Sequence, residues 1–456
     1  MNVLLCVLLI LALLLVVDYK HERFLISPTA LYLIGFILAA LCALFFSGKW
    51  GLSLHVITAF VLVGGPLCFC LASASMDFVF DRRFSALKVD SSGRSISPSL
   101  SPHKAGFYCA TFVAAIFQIS ILLLAIVEIA KLVPAESIVT SIGSFKEINT
   151  FSMDKVQFDF PLKQLINFSK AGGYLFSVGF PYLLCHKTAF SNKASRLLLL
   201  IIAFVGLVAS AGLGFVVNGR TLGLGYIAIA CFSYFIFSKR LGENLFTKKR
   251  LLICLTIVAL GLASFQLLSF GRSDGISFLD YIAIYLGAPI ANLDTFIVSG
   301  SYPTSDLFGQ MTFSSIITYI GAKCHVSDFS YVLDLPFLMR GEYSMGNVYT
   351  IYYSFIKDFG LIFVPLLVAF MAVLAQWLYR LCFSTSLSET KLILIVLLYS
   401  FVAYQIFFSF FSCKFYEEII SPGLVTTAIY VVLFGQFFFK FAPWFFDRVK
   451  RLFLRL

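Results

Sequence analysis

Residues 2–17, NVLLCVLLILALLLVV, indicate the class of this protein, because they form an apolar run without a charged side chain. About 20 apolar residues are needed to cross a bilayer as a helix, and a run of this kind is typical of a membrane span. No basic segment precedes the run and no A-x-A cleavage site follows it. We therefore interpret it as a first transmembrane helix and not as a cleaved signal.

The rest of the chain has the same character. Of its 456 residues, 60% are hydrophobic and only 12% are charged, and the mean hydropathy is +0.94. A soluble protein cannot bury so much apolar surface, so the expected solvent is lipid. Helices satisfy their own backbone hydrogen bonds in lipid, and the chain lacks the period-2 alternation of a membrane barrel. The predicted fold is an all-α polytopic membrane protein with one transmembrane domain over residues 1–456.

Eleven segments are apolar and long enough to be spans. Between them, two connections predicted to be outside are long, 131–170 and 271–350. In the second, apolar residues recur at helical spacing around Tyr285, which predicts short helices that lie on the membrane or dip into it. Cys324 and Cys413 both fall in predicted outer loops, where a disulfide is an open alternative. The predicted spans are 2–17, 28–47, 52–74, 107–130, 171–186, 197–217, 221–238, 251–270, 351–379, 392–411 and 423–443.

The basic residues separate the connections into two sets. One set, which includes the loop 82–104 and the tail 440–455, holds 22 of the 34 Lys and Arg residues. The positive-inside rule assigns this set to the cytoplasm, which places the N-terminus outside and the C-terminus inside. The net charge of +11 therefore reflects topology, and no nucleic-acid partner is expected. Residues 444–456, WFFDRVKRLFLRL, are typical of an amphipathic helix at the membrane surface.

Three arginines, Arg220, Arg272 and Arg340, lie in connections predicted to be outside, where positive charge is scarce. A guanidinium group binds phosphate or diphosphate bidentately, so the three predict an anion site on the outer face. Each has a simpler interpretation. Arg220 could anchor a hairpin at the membrane surface, Arg272 could pair with Asp274, and Arg340 could pair with Glu342.

His325 is the candidate general base of the outer loop, since an imidazole can take a proton from a hydroxyl group. Glu342 and Asp358 are alternatives for this role, and a loop histidine without catalytic function is the simpler interpretation. Paired carboxylates of the Asp-x-Asp type are absent, so neither a metal nor another cofactor is expected. Further acidic candidates are Asp294, Asp328, Asp334, Glu417 and Glu418.

The segment 346–363, GNVYTIYYSFIKDFGLIF, places Lys357 and Asp358 where an apolar run should already have begun. Ionisable groups at membrane depth face protein or a cavity, so a helix that breaks near Gly360 would place them at the floor of an outward-facing pocket. An internal Lys357–Asp358 ion pair that joins two helices is the alternative. The side chains predicted to contact a glycan are Tyr281, Tyr285, Asn347, Tyr349, Tyr353 and Lys357.

The chain resembles the Wzy-type oligosaccharide repeat-unit polymerases, which are the O-antigen and capsule polymerases of bacteria. The resemblance rests on the layout of spans and outer loop, and on motifs within about residues 170–380. These are NGRTLGLG (218–225), YLGAPIANLD (285–294) with GQMTFSS (309–315), and GNVYTIYYSFIKDFG (346–360). The Arg-x10-Gly spacing of some members follows none of the three arginines.

The resemblance implies a fold similar to GT-C-like membrane glycosyltransferases. It implies en bloc transfer of a glycan from undecaprenyl diphosphate onto another lipid-linked repeat unit, with inversion and without a metal. The arginines would bind the diphosphate leaving group, and His325 or a carboxylate would activate the acceptor hydroxyl.

The same resemblance implies a place in the bacterial inner membrane, with chemistry on the periplasmic face. The expected partners are the lipid bilayer, the undecaprenyl-diphosphate-linked glycan, a chain-length regulator (polysaccharide co-polymerase) and a flippase. Two alternatives from other classes stay open. One is a transporter or flippase of lipid-linked oligosaccharide, and the other is the ligase that transfers finished polymer to a lipid A core.

Overall fold

The apolar runs form helices in the part of the chain that the structure describes. This structure is a computed structural model, and it is 80% helical. It describes residues 2–85, 105–151, 155–186, 192–217, 220–243, 278–300, 302–303, 305–326, 335–385, 387–441 and 444.

Sixteen α-helices and one β-hairpin are found in these residues. The hairpin pairs β1 (Leu338–Arg340) with β2 (Tyr343–Gly346) in antiparallel fashion. The helices are α1 (Asn2–Glu22), α2 (Pro28–Phe46), α3 (Val56–Ser85), α4 (Ala105–Leu132), α5 (Ile138–Phe151), α6 (Phe160–Cys185), α7 (Lys193–Val217), α8 (Arg220–Arg240), α9 (Phe278–Leu286), α10 (Ala288–Ser299), α11 (Ser314–Cys324), α12 (Ile351–Phe359), α13 (Val364–Cys382), α14 (Glu389–Phe407), α15 (Lys414–Ile419) and α16 (Pro422–Gln436).

Among the described residues, eight helices are long and apolar enough to cross a membrane, or nine if the bent pair α9–α10 is one span. The eight are α1, α2, α3, α4, α7, α8, α13 and α14. Each overlaps a predicted span, and the predicted class of an all-α, multi-pass membrane protein is confirmed at this level. The predicted span 251–270 lies outside the described residues.

Three predicted spans differ from the helices observed. Span 351–379 is two helices, because Gly360 adopts φ +77° and ends α12 before α13 begins. The predicted break near Gly360 is thereby confirmed. Span 171–186 lies within the longer α6, which is not among the eight. Span 423–443 corresponds mainly to α16, which has only 15 residues.

Both predicted outer loops contain helices. The first, 131–170, includes α5 and the beginning of α6, and the second, 271–350, includes α9, α10, α11 and the hairpin. The predicted short helices around Tyr285 are confirmed as α9 and α10, which are bent by 47° at Gly287. A side chain at Gly287 would meet the Ala43 backbone nitrogen at 2.9 Å, so close packing on α2 requires glycine here.

The chain divides into two compact units, each assembled from separate segments. Unit 1 comprises Met1–Arg94, Gly275–Ser384 and Val402–Leu424, and unit 2 comprises the rest. In unit 2, α6, α7 and α8 pack on one another, and α4 packs on α7. A side chain at Gly214 would lie 2.8 Å from the Gly223 nitrogen, so the α7–α8 hairpin depends on these two small residues.

Unit 1 packs α3 against α13 and packs α1 against α2 and α3. Tyr352 of α12 lies fully buried in this unit, and its hydroxyl is 2.8 Å from the hydroxyl of Tyr32 on α2. The Tyr352 ring stacks on Phe36, and its hydroxyl occupies the space that a side chain at Gly65 of α3 would need. The short helix α12 is therefore a core element of unit 1.

Candidate functional site

Arg340, one of the three predicted anion-binding arginines, contacts α10. It is the last residue of β1, and its Nη2 donates to Thr295 Oγ1 at 3.0 Å and lies 3.7 Å from Asp294 Oδ2. The hairpin makes this possible because Gly341, with φ +59°, supplies the tight turn that follows. The alternative Arg340–Glu342 ion pair is not formed, since Glu342 lies exposed in that turn.

Asp294 is the centre of this arrangement, and its side chain is only 1% exposed. Oδ1 accepts hydrogen bonds from the His55 backbone nitrogen at 3.0 Å and from Thr58 Oγ1 at 2.7 Å. Oδ2 lies 3.0 Å from His55 Nδ1. A buried carboxylate needs such donors, and α3 begins here with unpaired backbone N–H groups. Asp294 therefore stabilises the start of α3 and orients the His55 ring.

The His55 side chain is 53% exposed although its partner is buried. In the tautomer that donates from Nδ1 to Asp294 Oδ2, Nε2 is the ring nitrogen that can accept a proton. No described residue forms a hydrogen bond with Nε2. An imidazole that a buried carboxylate orients, with its second nitrogen accessible, has the geometry of a general base.

The Arg340 guanidinium keeps donors available for a ligand. Its contacts to described residues all involve Nη2, so Nη1 and Nε are unused. Its side chain is 21% exposed, so part of it is accessible to an anion. We call His55, Thr58, Asp294 and Arg340 the Asp294 cluster.

Neighbouring contacts hold the hairpin that carries Arg340. Asn292 of α10 donates from Nδ2 to the carbonyl oxygens of Met345 at 3.2 Å and Val348 at 2.8 Å. Lys49 forms an ion pair with Asp280 at 2.5 Å and lies 5.0 Å from the centre of the Tyr343 ring. These contacts link β2 to α9, to α10 and to the turn between α2 and α3.

Asp358, a predicted catalytic residue, has a fully engaged carboxylate. It accepts hydrogen bonds from Ser305 Oγ at 2.5 Å, from the Met311 nitrogen at 3.1 Å and from the Thr312 nitrogen at 2.6 Å. The alternative ion pair with Lys357 is not formed, and the Lys357 ammonium lies 5.7 Å from the Tyr353 ring centre instead. In this position Asp358 ties the loop before α11 to α12.

His325 and Glu342 are exposed, and neither side chain forms a hydrogen bond or ion pair with a described residue. His325 ends α11 in the left-handed conformation, with φ +55°. No carboxylate orients its ring in the way that Asp294 orients His55. Their catalytic roles stay predictions, and the described residues provide no partner for either.

The predicted glycan-binding side chains fall into two aromatic groups. Tyr349 and Tyr353 lie with ring centres 4.1 Å apart, and Phe296 packs on Tyr353. Tyr349 donates to the Pro336 carbonyl oxygen at 2.9 Å, and burial raises the pKa of its phenol well above the ordinary value. Tyr281 and Tyr285 form the second group, 5.0 Å apart. Most of these rings are buried; the partly exposed members of the predicted set are Tyr285, Asn347 and Lys357.

The other two arginines cannot be assigned to the site. Arg220 is the first residue of α8 in unit 2, and Arg272 lies outside the described residues. Convergence of the three guanidinium groups stays a prediction. The alternative disulfide is not formed, because Cys324 and Cys413 are both free, the first exposed and the second buried.

A second charged cluster lies toward the other end of α3. Arg380 of α13 donates from Nη2 to Glu22 Oε1 and from Nε to Asp77 Oδ1, both at 2.5 Å. Gln376 Nε2 donates to the same Asp77 oxygen at 2.7 Å, and Tyr379 donates to Glu22 at 3.2 Å. We call Glu22, Asp77, Gln376 and Arg380 the Arg380 cluster.

Sequence reasoning missed His55 and Thr58, and it named Asp294 only among the further bases. His55 was assigned to the apolar span 52–74, where it looked like part of a lipid-facing run. A usable signal was present, because an ionisable side chain at the edge of a span is by default a functional candidate. The partner Asp294 is 239 positions away, so no local pattern joins the two.

Comparison with known protein families, with characterised proteins and with solved structures finds no match to this chain. The chemistry of the site therefore has to be inferred from the Asp294 cluster itself. The cluster combines an accessible, oriented imidazole with an accessible guanidinium edge on one buried carboxylate. Such a pair can remove a proton from a hydroxyl and stabilise a phosphate-type leaving group.

Proposed function

We propose that this protein is a membrane glycosyltransferase that polymerises undecaprenyl-diphosphate-linked oligosaccharide repeat units on the periplasmic face of a bacterial inner membrane. It has eleven spans, with the N-terminus outside and the C-terminus in the cytoplasm. The Asp294 cluster is the observation that supports this proposal most strongly. It joins a histidine and an arginine, which can act as a base and as an anion-binding group, to one buried carboxylate in a chain with membrane-like helices.

In this mechanism His55 Nε2 removes the proton from the acceptor hydroxyl as that oxygen attacks the anomeric carbon of the donor. The bond between the anomeric carbon and the diphosphate breaks, and the leaving group departs with the bonding electron pair. Arg340 stabilises the negative charge that develops on the diphosphate. Asp294 keeps the His55 ring in the required tautomer and stabilises the imidazolium that forms. The step needs no metal.

In this mechanism Arg340 binds the diphosphate, and a separate set of side chains binds the glycan. Arg340 Nη1 and Nε, which bond to no described residue, can each donate a hydrogen bond to a phosphate oxygen. Tyr285, Asn347 and Lys357, which are partly exposed, provide the contacts for sugar rings. Arg220 and Arg272 act with Arg340 on the diphosphate in the full proposal.

The test compares two histidine variants of the purified full-length protein, supplied with a synthetic lipid-diphosphate repeat unit. His55→Gln removes the base, and chain extension should fall by about 10²–10⁴-fold, which is the range of general-base catalysis. His325→Gln is the matched control, because this histidine is exposed and unpartnered. Loss of activity in the control with full activity in His55→Gln would move the base to His325.

A transporter of lipid-linked oligosaccharide is the second candidate, and the broken helices favour it. The pair α9–α10 is bent by 47°, and Gly360 separates α12 from α13. Discontinuous helices of this kind form the substrate sites of many transporters. Against this, both breaks fall in unit 1, whereas transporter repeats carry them in matched halves.

The same assay separates the candidates. A ladder of products supports the polymerase, and transfer to a lipid A core acceptor alone would identify the ligase. If no glycosidic bond forms, the protein is reconstituted in vesicles and movement of the labelled lipid across the bilayer is measured. Movement without bond formation would replace the polymerase with the transporter.

A further inference from the structure

Phe308 lies exposed on a loop whose position is fixed. The loop comprises residues 305–313, directly before α11, and we call it the Phe308 loop. Phe308 is 77% exposed. Asp358 holds the loop on both sides of this residue, because its buried carboxylate accepts from Ser305 Oγ at 2.5 Å and from the Met311 nitrogen at 3.1 Å. The fold of the loop therefore sets the outward position of Phe308.

The Phe308 ring contacts the end of α12 beside a candidate membrane span. Its centre lies 4.6 Å from the Phe359 ring centre, which in turn lies 5.9 Å from the Phe363 ring centre. Gly309 allows this approach, because it adopts φ +79° and a Cβ atom there would lie only 3.2 Å from the Phe359 ring. Phe363 lies in the first turn of the candidate span Leu361–Cys382. Phe308 is therefore located close to the level at which this span begins.

The same span carries an exposed apolar stripe. Its members are between 41% and 64% exposed and recur at spacings of three and four residues, which places them on one face of the helix. They are Phe363, Leu366, Phe370, Val373 and Trp377. A stripe of this kind on a helix that crosses a membrane faces the lipid chains. Because Phe363 is its first member, the ring contacts through Phe359 make Phe308 an extension of the stripe beyond the end of the span.

We propose that the Phe308 loop lies in the interfacial region of the bilayer, where the Phe308 ring contacts the upper part of the lipid acyl chains. Such a ring gains free energy when it leaves water, and aromatic side chains serve as anchors at this depth. Asp306 is exposed two residues earlier and would lie among the hydrated headgroups. The loop therefore enters the membrane only by its tip. This proposal requires that the chain spans a membrane, and it does not depend on the proposed transfer reaction.

A soluble partner protein is the other class of occupant for an exposed aromatic ring. The continuity between the loop and the span favours lipid. A soluble protein that covered Phe308 would also have to exclude lipid from Phe363 and Leu366, which lie in the span itself. Lipid chains cover all three side chains at once and need no such displacement.

The test places a tryptophan at the tip of the loop and measures its contact with lipid. Phe308→Trp is made in full-length protein whose own Trp50, Trp377 and Trp444 are replaced by phenylalanine, and the protein is reconstituted in phosphatidylcholine vesicles. Bromine atoms on the acyl chains quench tryptophan emission at short range. We expect a large loss of emission with bromine near the headgroups, a smaller loss with bromine near the chain ends, and little loss with aqueous iodide.

Phe370→Trp in the same background is the matched control, because Phe370 lies about two turns farther into the span and is 50% exposed. There bromine near the chain ends should cause the larger loss. If iodide quenches Phe308→Trp and neither brominated lipid does, Phe308 faces water or a soluble partner, and the proposal is overturned. If the background without native tryptophans fails to fold, both substitutions are made in the wild-type chain and its emission is subtracted. The same comparison then decides.

Discussion

The Asp294 cluster and the Arg380 cluster use the same chemical groups in opposite ways. Both lie in unit 1 and both involve α3, one at its first turn and the other around Asp77. In the Arg380 cluster the guanidinium contacts two carboxylates at 2.5 Å, and Tyr379 and Gln376 complete their coordination. In the Asp294 cluster the guanidinium stays 3.7 Å from the carboxylate and keeps its outer edge free.

This difference separates an ion pair that holds helices together from one that can bind a ligand. When a cation and its carboxylates satisfy each other fully, their main effect is on folding. When a carboxylate already accepts hydrogen bonds from buried donors, as Asp294 does, the partly exposed side chains beside it remain available to bind a ligand or transfer a proton. Mutations in the Asp294 cluster should therefore lower activity, and mutations in the Arg380 cluster should lower stability.

Asp294→Asn should have the largest effect, and the effect should be on activity. The amide retains an oxygen for Thr58, but its NH₂ group would face His55 Nδ1 and shift the ring hydrogen to Nε2. A base with a hydrogen on Nε2 cannot accept a proton, so chain extension should fall by about 10⁴-fold, as in serine proteases with the equivalent change. The test measures the rate of chain extension by the purified variant. A rate equal to that of the wild type would show that the Asp294 cluster has no catalytic role.

Arg380→Gln should have the largest effect on stability. It leaves the carboxylates of Glu22 and Asp77 without their cation, which reduces the free energy of unfolding by about 3–5 kcal/mol. Chemical denaturation in detergent measures this change. Arg23→Gln is the control, since Arg23 is exposed and unpaired, and should change stability by less than about 0.5 kcal/mol. Equal losses in both variants would show that the cluster is not a stabilising contact.

Gly65→Ala tests the packing between the two clusters on α3. A Cβ atom there would overlap the buried Tyr352 hydroxyl, which Tyr32 also holds, so we expect a loss of about 1–3 kcal/mol. Gly64→Ala is a close control, because a Cβ atom at that position meets nothing within 4 Å. It should be neutral or stabilise the helix by up to about 1 kcal/mol. If Gly64→Ala proves the worse of the pair, the packing of α12 on α3 is not as described.

Lys49→Met should have the smallest effect. The Lys49–Asp280 pair is more than one-quarter exposed on both sides, and such pairs contribute about 0–1 kcal/mol. Thermal unfolding should therefore change little, while activity should fall modestly if the hairpin loosens. A loss of several kcal/mol in the free energy of unfolding would show that this ion pair stabilises the fold as strongly as the Arg380 cluster does.

The helical membrane fold could be predicted from local pattern alone, since hydropathy over about 20 residues is a property of neighbours in the chain. The break at Gly360 was also predictable, because charged residues followed by glycine interrupt a predicted apolar span there. Arg340 could be singled out by its positive charge in a connection that was predicted to lie outside, where arginine is scarce.

The partners of Arg340 could not be found in this way. His55, Asp294 and Arg340 come from three elements far apart in the chain, and only the packing of α10 and the hairpin on α3 brings them together. Glu342 and Lys357 show the converse, since adjacency in the sequence suggested ion pairs that the fold does not form. The hydropathy of a segment is a sum over neighbouring residues, so the sequence alone determines it. A site depends on contacts between residues that are distant in the sequence, and these contacts exist only once the chain has folded.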